Sequence, residues 1–158
     1  MADTDPIIAA ARDMYTVSVK DLRSSLEGLG ADGLNWKPEA PETNSVSVLA
    51  SHALGACRAW FCMAVDAPMP DRSREAEFLS EFSSEEKALA FVDAIGADSL
   101  RILDEATALD WGDMRPMNSQ PGAPMISRAY TIMHAVEHLR EHVAHLQLTR
   151  QLWDASKS

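Results

Sequence analysis

Between residues 127 and 153 the aliphatic side chains Ile132, Val136, Leu139, Val143 and Leu146 recur at intervals of three or four. At about 100° per residue they gather on one arc of a helix, whereas a strand would scatter them over both of its faces. Three earlier segments repeat the pattern. The first opens at Asp5-Pro6, a cap residue and a proline whose missing N–H costs nothing at a helix start. It runs through Ile8, Ala11, Tyr15, Leu22 and Leu26 to Gly28 and Gly30. The second starts after Asn44 or Ser45, carries Val48, Leu49, His52, Ala53, Ala56, Trp60 and Met63, and stops before Pro68. The third begins at Ser83-Ser84-Glu85-Glu86, where a serine followed three residues later by glutamate fits a capping box. It continues through Leu89, Val92, Ile95, Ile102 and Leu103, weakened but not broken by Gly96. No β alternation is sustained. The expected architecture is therefore all-α, an up-and-down four-helix bundle with long connecting loops, formed by residues 1–158 as a single domain. Loops of roughly 15 to 20 residues exceed what bundle connections need, and such loops often cover one mouth of a bundle.

A chain of 158 residues can bury a core without disulfides or structural metal, so an ion held here is free to serve function. Aspartate and glutamate number 24 against 14 lysines and arginines, a net charge of −10 that repels a phosphate backbone. No nucleic-acid partner is expected. The opening residues MADTDPIIAA lack the basic start and apolar run of a secretory signal, and no stretch reads as the roughly 20 apolar residues of a membrane span. The expectation is a cytoplasmic protein without a membrane partner. Cys57 and Cys62 lie five apart within one helix and diverge, so they are read as core thiols rather than a disulfide or zinc knuckle.

Residues 134 to 145, HAVEHLREHVAH, hold four of the five histidines. On a helix His134, His138, His142 and His145 share an arc of roughly 80°, beside the aliphatic arc. His142 lies nearest its edge and His138 next, so this i, i+4 pair is the one expected to face inward. One helical turn suits two imidazoles to a single ion at about 2.0–2.1 Å. The third ligand must come from elsewhere, and His52, on the side of Leu49 and Ala56, is the remaining histidine. Three neutral imidazoles from two helices make a facial set with open coordination positions. The plain alternatives are a satisfied core histidine at 52 and a solvated histidine face at 134–145. His134 and His145 are expected at the surface or beside the ligands. Glu137, Arg140 and Glu141 are expected in solvent, with Glu141 a candidate to orient His138 or His145, and Trp36, Trp60, Trp111 and Trp153 as packing anchors.

Two segments carry a family resemblance. NWKPEAPETNSVSVLASHALGACRAWF resembles the second-helix signature of the DinB-like superfamily: a tryptophan-proline loop, an Asn-Ser start, then a histidine with tryptophan eight residues later. HAVEHLREHVAHLQLTRQL is similar to the last-helix signature. The resemblance implies a four-helix bundle, often a homodimer, with a divalent transition metal, zinc or nickel first, on His52, His138 and His142. Two positions depart from the usual pattern: Cys57 stands where many relatives have an acidic residue, and Ala144 where many have glycine.

The resemblance further implies small-molecule chemistry. Members with assigned roles resemble transferases and isomerases that use a low-molecular-weight thiol such as mycothiol or bacillithiol, held by the ion as its thiolate. The leading expectation is a metal-dependent, thiol-using transferase acting on a small-molecule substrate. The alternatives are a metal-dependent hydrolase, in which the ion activates water, and a non-enzymatic metal-binding or stress-response protein with a vestigial site. No catalytic side chain is singled out.

Overall fold

Asp5 accepts hydrogen bonds from the backbone N–H groups of Ile7 and Ile8, at 2.8 and 3.2 Å, and so caps helix α1 (Pro6–Leu26). Its other oxygen accepts from Trp111 Nε1 at 2.8 Å, which ties a distant loop to the same helix start. The structure is a computed structural model and describes residues 5–107 and 109–158. After α1 come the short α2 (Gly30–Asn35), α3 (Val46–Val65), the single turn α4 (Arg74–Glu77) and α5 (Glu85–Asp104). A two-stranded antiparallel hairpin, β1 (Met114–Pro116) and β2 (Met125–Ser127), leads into α6 (Arg128–Ser156).

The four long helices are those the periodicity marks, and each starts at a side-chain cap. Ser45 caps α3 through Val48 N–H, and Ser127 caps α6 through Tyr130 N–H. The capping box expected at Ser83–Glu86 is replaced by a cap one residue later. Ser84 accepts from Lys87 N–H at 3.3 Å, and the Lys87 ammonium donates to Ser83 Oγ at 2.9 Å. The turns α2 and α4 and the hairpin have no counterpart in the sequence reading, because each is too short to show a period.

Helix α3 packs on α5 and α6, and α1 packs on the same two, so the pairs α1/α3 and α5/α6 lie across the diagonals of the bundle. The connections 27–45 and 105–127 must therefore cross a bundle end, which accounts for their length. The connection 66–84 joins neighbours and needs no such length. It instead carries α4 against α3.

The core is continuous, with Tyr15, Leu22, Leu54, Phe61, Leu103, Ile132, Leu139 and Leu146 fully buried, and Tyr15 meets Phe61 edge-on at 5.3 Å between ring centres. By length and composition α3 is apolar enough to cross a membrane, with mean hydropathy 1.4 over its best window, which corrects the expectation that no stretch reaches that mark. Of that window 72% is buried inside the bundle, so its apolarity is spent on neighbouring helices. The sequence reading also passed over Arg128. Its buried guanidinium donates to Asp66 Oδ2 at 2.7 Å, to Asp113 Oδ2 at 3.1 Å and to the Ala64 carbonyl, joining the end of α3 to the start of α6.

Leu139 is 0% exposed and Leu148, nine residues later on the same helix, is 53% exposed. Leu139→Ala is expected to lower unfolding free energy by about 2–5 kcal/mol, and Leu148→Ala to change it by less than about 0.5 kcal/mol, measured by urea denaturation. Equal effects would contradict the assigned facing of α6.

Candidate metal centre

Because α3 lies along α6, residue 52 comes to face the turn formed by residues 138 to 142. His52 is 7% exposed, while His138 and His142 are half-buried. The three histidines each offer a nitrogen, and those atoms all lie within 4.8 Å of one another. Ring centres are 4.4 Å apart for His138/His142, 4.9 Å for His52/His142 and 5.3 Å for His52/His138.

The Nε2 atoms of His138 and His142 approach to 3.2 Å. Two nitrogens bound to one ion at about 2.0–2.1 Å, at angles between octahedral and tetrahedral, are separated by about 2.9–3.4 Å. The donor pair thus has the spacing a shared cation requires. Both Nε2 atoms cannot carry protons at this distance, so at least one presents a bare lone pair. The two Nδ1 atoms are buried with no hydrogen-bond partner. All-imidazole donors with free lone pairs suit a borderline transition ion, and the residues fit the group that the resemblance implies.

Charge supports the same fit. Burial, followed by the neighbouring His142, His52 and His134, lowers the His138 pKa from 6.5 to about 4. Burial and then His52 also lower that of His142, with Glu141 opposing. Both rings are therefore neutral at pH 7, the form that binds metal.

His52 is held from behind by groups the sequence reading missed. Glu77 Oε2 lies 3.0 Å from His52 Nδ1, and Arg72 grips both carboxylate oxygens, with Nε to Oε1 at 2.6 Å and Nη2 to Oε2 at 2.8 Å. Burial alone would raise the Glu77 pKa, but hydrogen bonds from His52 and Arg72 outweigh it and leave the carboxylate below its ordinary range. Arg72 Nη2 also lies 3.5 Å from His52 Nδ1. That contact is not a hydrogen bond when Nδ1 donates to Glu77. The run DRSREAE, residues 71–77, carries no periodicity or motif, and its one visible signal is a dense alternation of charge in a loop longer than its neighbours require.

The other expected residues sort as follows. His134 stands outside the cluster, its Nδ1 3.5 Å from Glu137 Oε2 and its ring against the edge of Trp60 at 4.7 Å. His145 is exposed. Glu141 is exposed as well and does not orient His138, whose Nδ1 has no partner. Cys57 and Cys62 are buried and unpaired, as expected, and burial raises both thiol pKa values. A cleft of about 830 Å³, with walls that include Trp60, Met63, Met69 and Met117, is lined by none of the three histidines and adjoins the site only through Arg72.

These features can be set beside known proteins. No curated protein matches the sequence. A crystal structure of a conserved protein from Enterococcus faecalis superposes with a TM-score of 0.72, covering 93% of this chain and 96% of that one, at 15% identity. The likeness is one of fold. The model of the mycothiol-S-transferase family matches residues 11–155, a span that takes in the four long helices almost entire and all three clustered histidines. The DinB-like resemblance and the all-α bundle thus converge, and the chain belongs to the mycothiol-S-transferase family.

Proposed function

We propose that the protein is a metal-dependent transferase that joins a low-molecular-weight thiol of the mycothiol type to a small electrophilic molecule, with His52, His138 and His142 as the metal ligands. The observation that carries this reading is the convergence of three imidazoles from two helices, in a chain whose family is a thiol transferase family. A divalent cation such as zinc or nickel, when bound, supplies positive charge that keeps a small thiol deprotonated at neutral pH. The remaining work falls to the chain. His138 and His142 present lone pairs because burial keeps them neutral, and Glu77 fixes His52 from behind. Cys57 and Cys62 are buried and protonated, so the nucleophilic sulfur comes from outside the chain. In the transfer the thiol loses its proton, its sulfur bonds to an electrophilic carbon, and the displaced group leaves with its electron pair. The Trp60–Met117 cleft, with polarizable methionine walls and Arg72 shared with the support of His52, suits an apolar acceptor molecule.

Metal content is the first check. Purified wild type is expected to bind up to one ion per chain. His138→Ala should abolish binding and His134→Ala should not, while both variants and the metal-free protein stay helical by circular dichroism. Equal loss from both substitutions contradicts the ligand set. The pH dependence follows from the lowered histidine values. His138 keeps its lone pair at pH 6.5, where an ordinary histidine is half protonated, and is itself half protonated only at about pH 4, so its protonation competes with metal only as the pH nears and passes 4. Affinity measured by chelator competition should therefore be better retained at pH 6 than for three ordinary histidines, and should collapse toward pH 4. Metal held unchanged at pH 4 would point to other ligands.

The thiol is the second check. With cobalt in the site, a low-molecular-weight thiol should raise a sulfur-to-metal charge-transfer band in wild type and in the Cys57→Ser/Cys62→Ser variant, and none in His142→Ala. Absence of a band with several biological thiols would shift the reading to water activation, and with it to a hydrolase.

A further inference from the structure

We propose that Glu77 is a positioning residue that fixes the tautomer and aim of His52, and that Gly55 is the gap in α3 that lets its carboxylate reach that histidine. The metal consequence rests on the reading of the cluster given above; the tautomer does not.

Both Glu77 oxygens already accept hydrogen bonds from Arg72, at 2.6 and 2.8 Å, so the carboxylate faces His52 as an acceptor and at 3.0 Å Nδ1 is the donor. A neutral imidazole with its proton on Nδ1 has its lone pair on Nε2, the nitrogen not engaged by Glu77. The carboxylate is itself held, because Arg72 takes both oxygens in a two-pronged grip and Glu77 is only 12% exposed. Phe78, the next residue, lies with its ring centre 4.8 Å from that of His52, and the Arg74 guanidinium covers its ring at 4.8 Å. The turn α4 thus sets two successive side chains against one imidazole.

Gly55 lies three residues after His52 and therefore on the same face of α3. A Cβ placed there would meet Glu77 Oε1 at 2.3 Å and Glu77 Cδ at 3.2 Å, with Arg72 Nε at 3.5 Å. Every other residue type would push the carboxylate away. Glycine is the poorest helix former after proline, and here it sits in the middle of a 20-residue helix with an ordinary negative φ, so backbone conformation does not demand it. Clearance for Glu77 does. The connection 66–84, longer than neighbouring helices need, is what delivers that carboxylate.

The test uses the full-length protein with two readouts. The first is nitrogen-15 NMR of the histidine rings in metal-free protein at pH 8. His52 should be the Nδ1–H tautomer in wild type and should move toward Nε2–H in Glu77→Ala and in Gly55→Ala. The second is zinc affinity by competition with a chromophoric chelator. Both single variants should bind about 10–100-fold more weakly, with unchanged far-ultraviolet circular dichroism. The double variant should be no weaker than Glu77→Ala alone, because the two substitutions remove one interaction. Glu77→Gln, which keeps the volume, serves if Glu77→Ala does not fold, and should also weaken zinc. An Nε2–H tautomer in wild type, unaltered zinc affinity in the variants, or additive losses would overturn the proposal. If wild type binds no zinc but shows the Nδ1–H tautomer, lost in both variants, the positioning role stands and the metal reading falls.

Discussion

The approach of α3 to α6 is the constraint on which the histidine cluster depends. Helix separation is set by the side chains at the contact, and α3 offers small ones at buried positions, Ala50, Ala53 and Ala56 among them. This pairing is the most extensive in the bundle. It brings one imidazole of α3 within reach of a turn of α6 that already carries two. A larger residue beside His52 would widen the gap and leave a lone core histidine facing an i, i+4 pair. The salt-bridged Arg128, with Asp66 and Asp113, fixes the same two helices at one end.

The arrangement has an energetic cost that points to a use. Two buried Nδ1 atoms without partners cost about 1–3 kcal/mol each, and His138 resists protonation because it is buried and, after that, because its neighbours are also imidazoles. A bundle selected for stability alone would place leucines there. The continuous core from Tyr15 and Leu22 to Leu139 and Leu146 tolerates the cost. An ion between the two Nε2 atoms would turn their close approach into a pair of donor bonds, which is the use proposed for the cluster.

The helices and the three clustered histidines were legible in the sequence because each has a period. Apolar spacing near 3.6 marked all four long helices, and the same spacing separated His138 and His142 from His134 and His145. Their convergence with His52 needed a second helix, which the buried side of residues 49–56 supplied. What escaped has no period. Glu77 and Arg72 sit in an irregular connection, and their contact with His52 depends on where residues 66–84 turn back. Gly55 carries no signal of its own in the sequence, and its meaning appears only once a carboxylate occupies the space. Arg128 was hidden because a charge at a helix start looks solvated until partners from α3 and the hairpin close over it. The apolarity of α3 was undercounted for a related reason: its histidine and arginine break the run in the sequence, yet its hydropathy is that of a helix surrounded by protein.

The central claim is an open site of three imidazoles that accepts an external sulfur. X-ray absorption at the zinc edge tests it most directly, on metal-loaded protein before and after addition of a small thiol. Before addition, the account expects three imidazole nitrogens at about 2.0–2.1 Å with a light-atom ligand and no sulfur. After addition, one sulfur should appear at about 2.3 Å with the three imidazoles retained. Sulfur present before any thiol is added, or a closed four-ligand shell that the thiol does not enter, would contradict it.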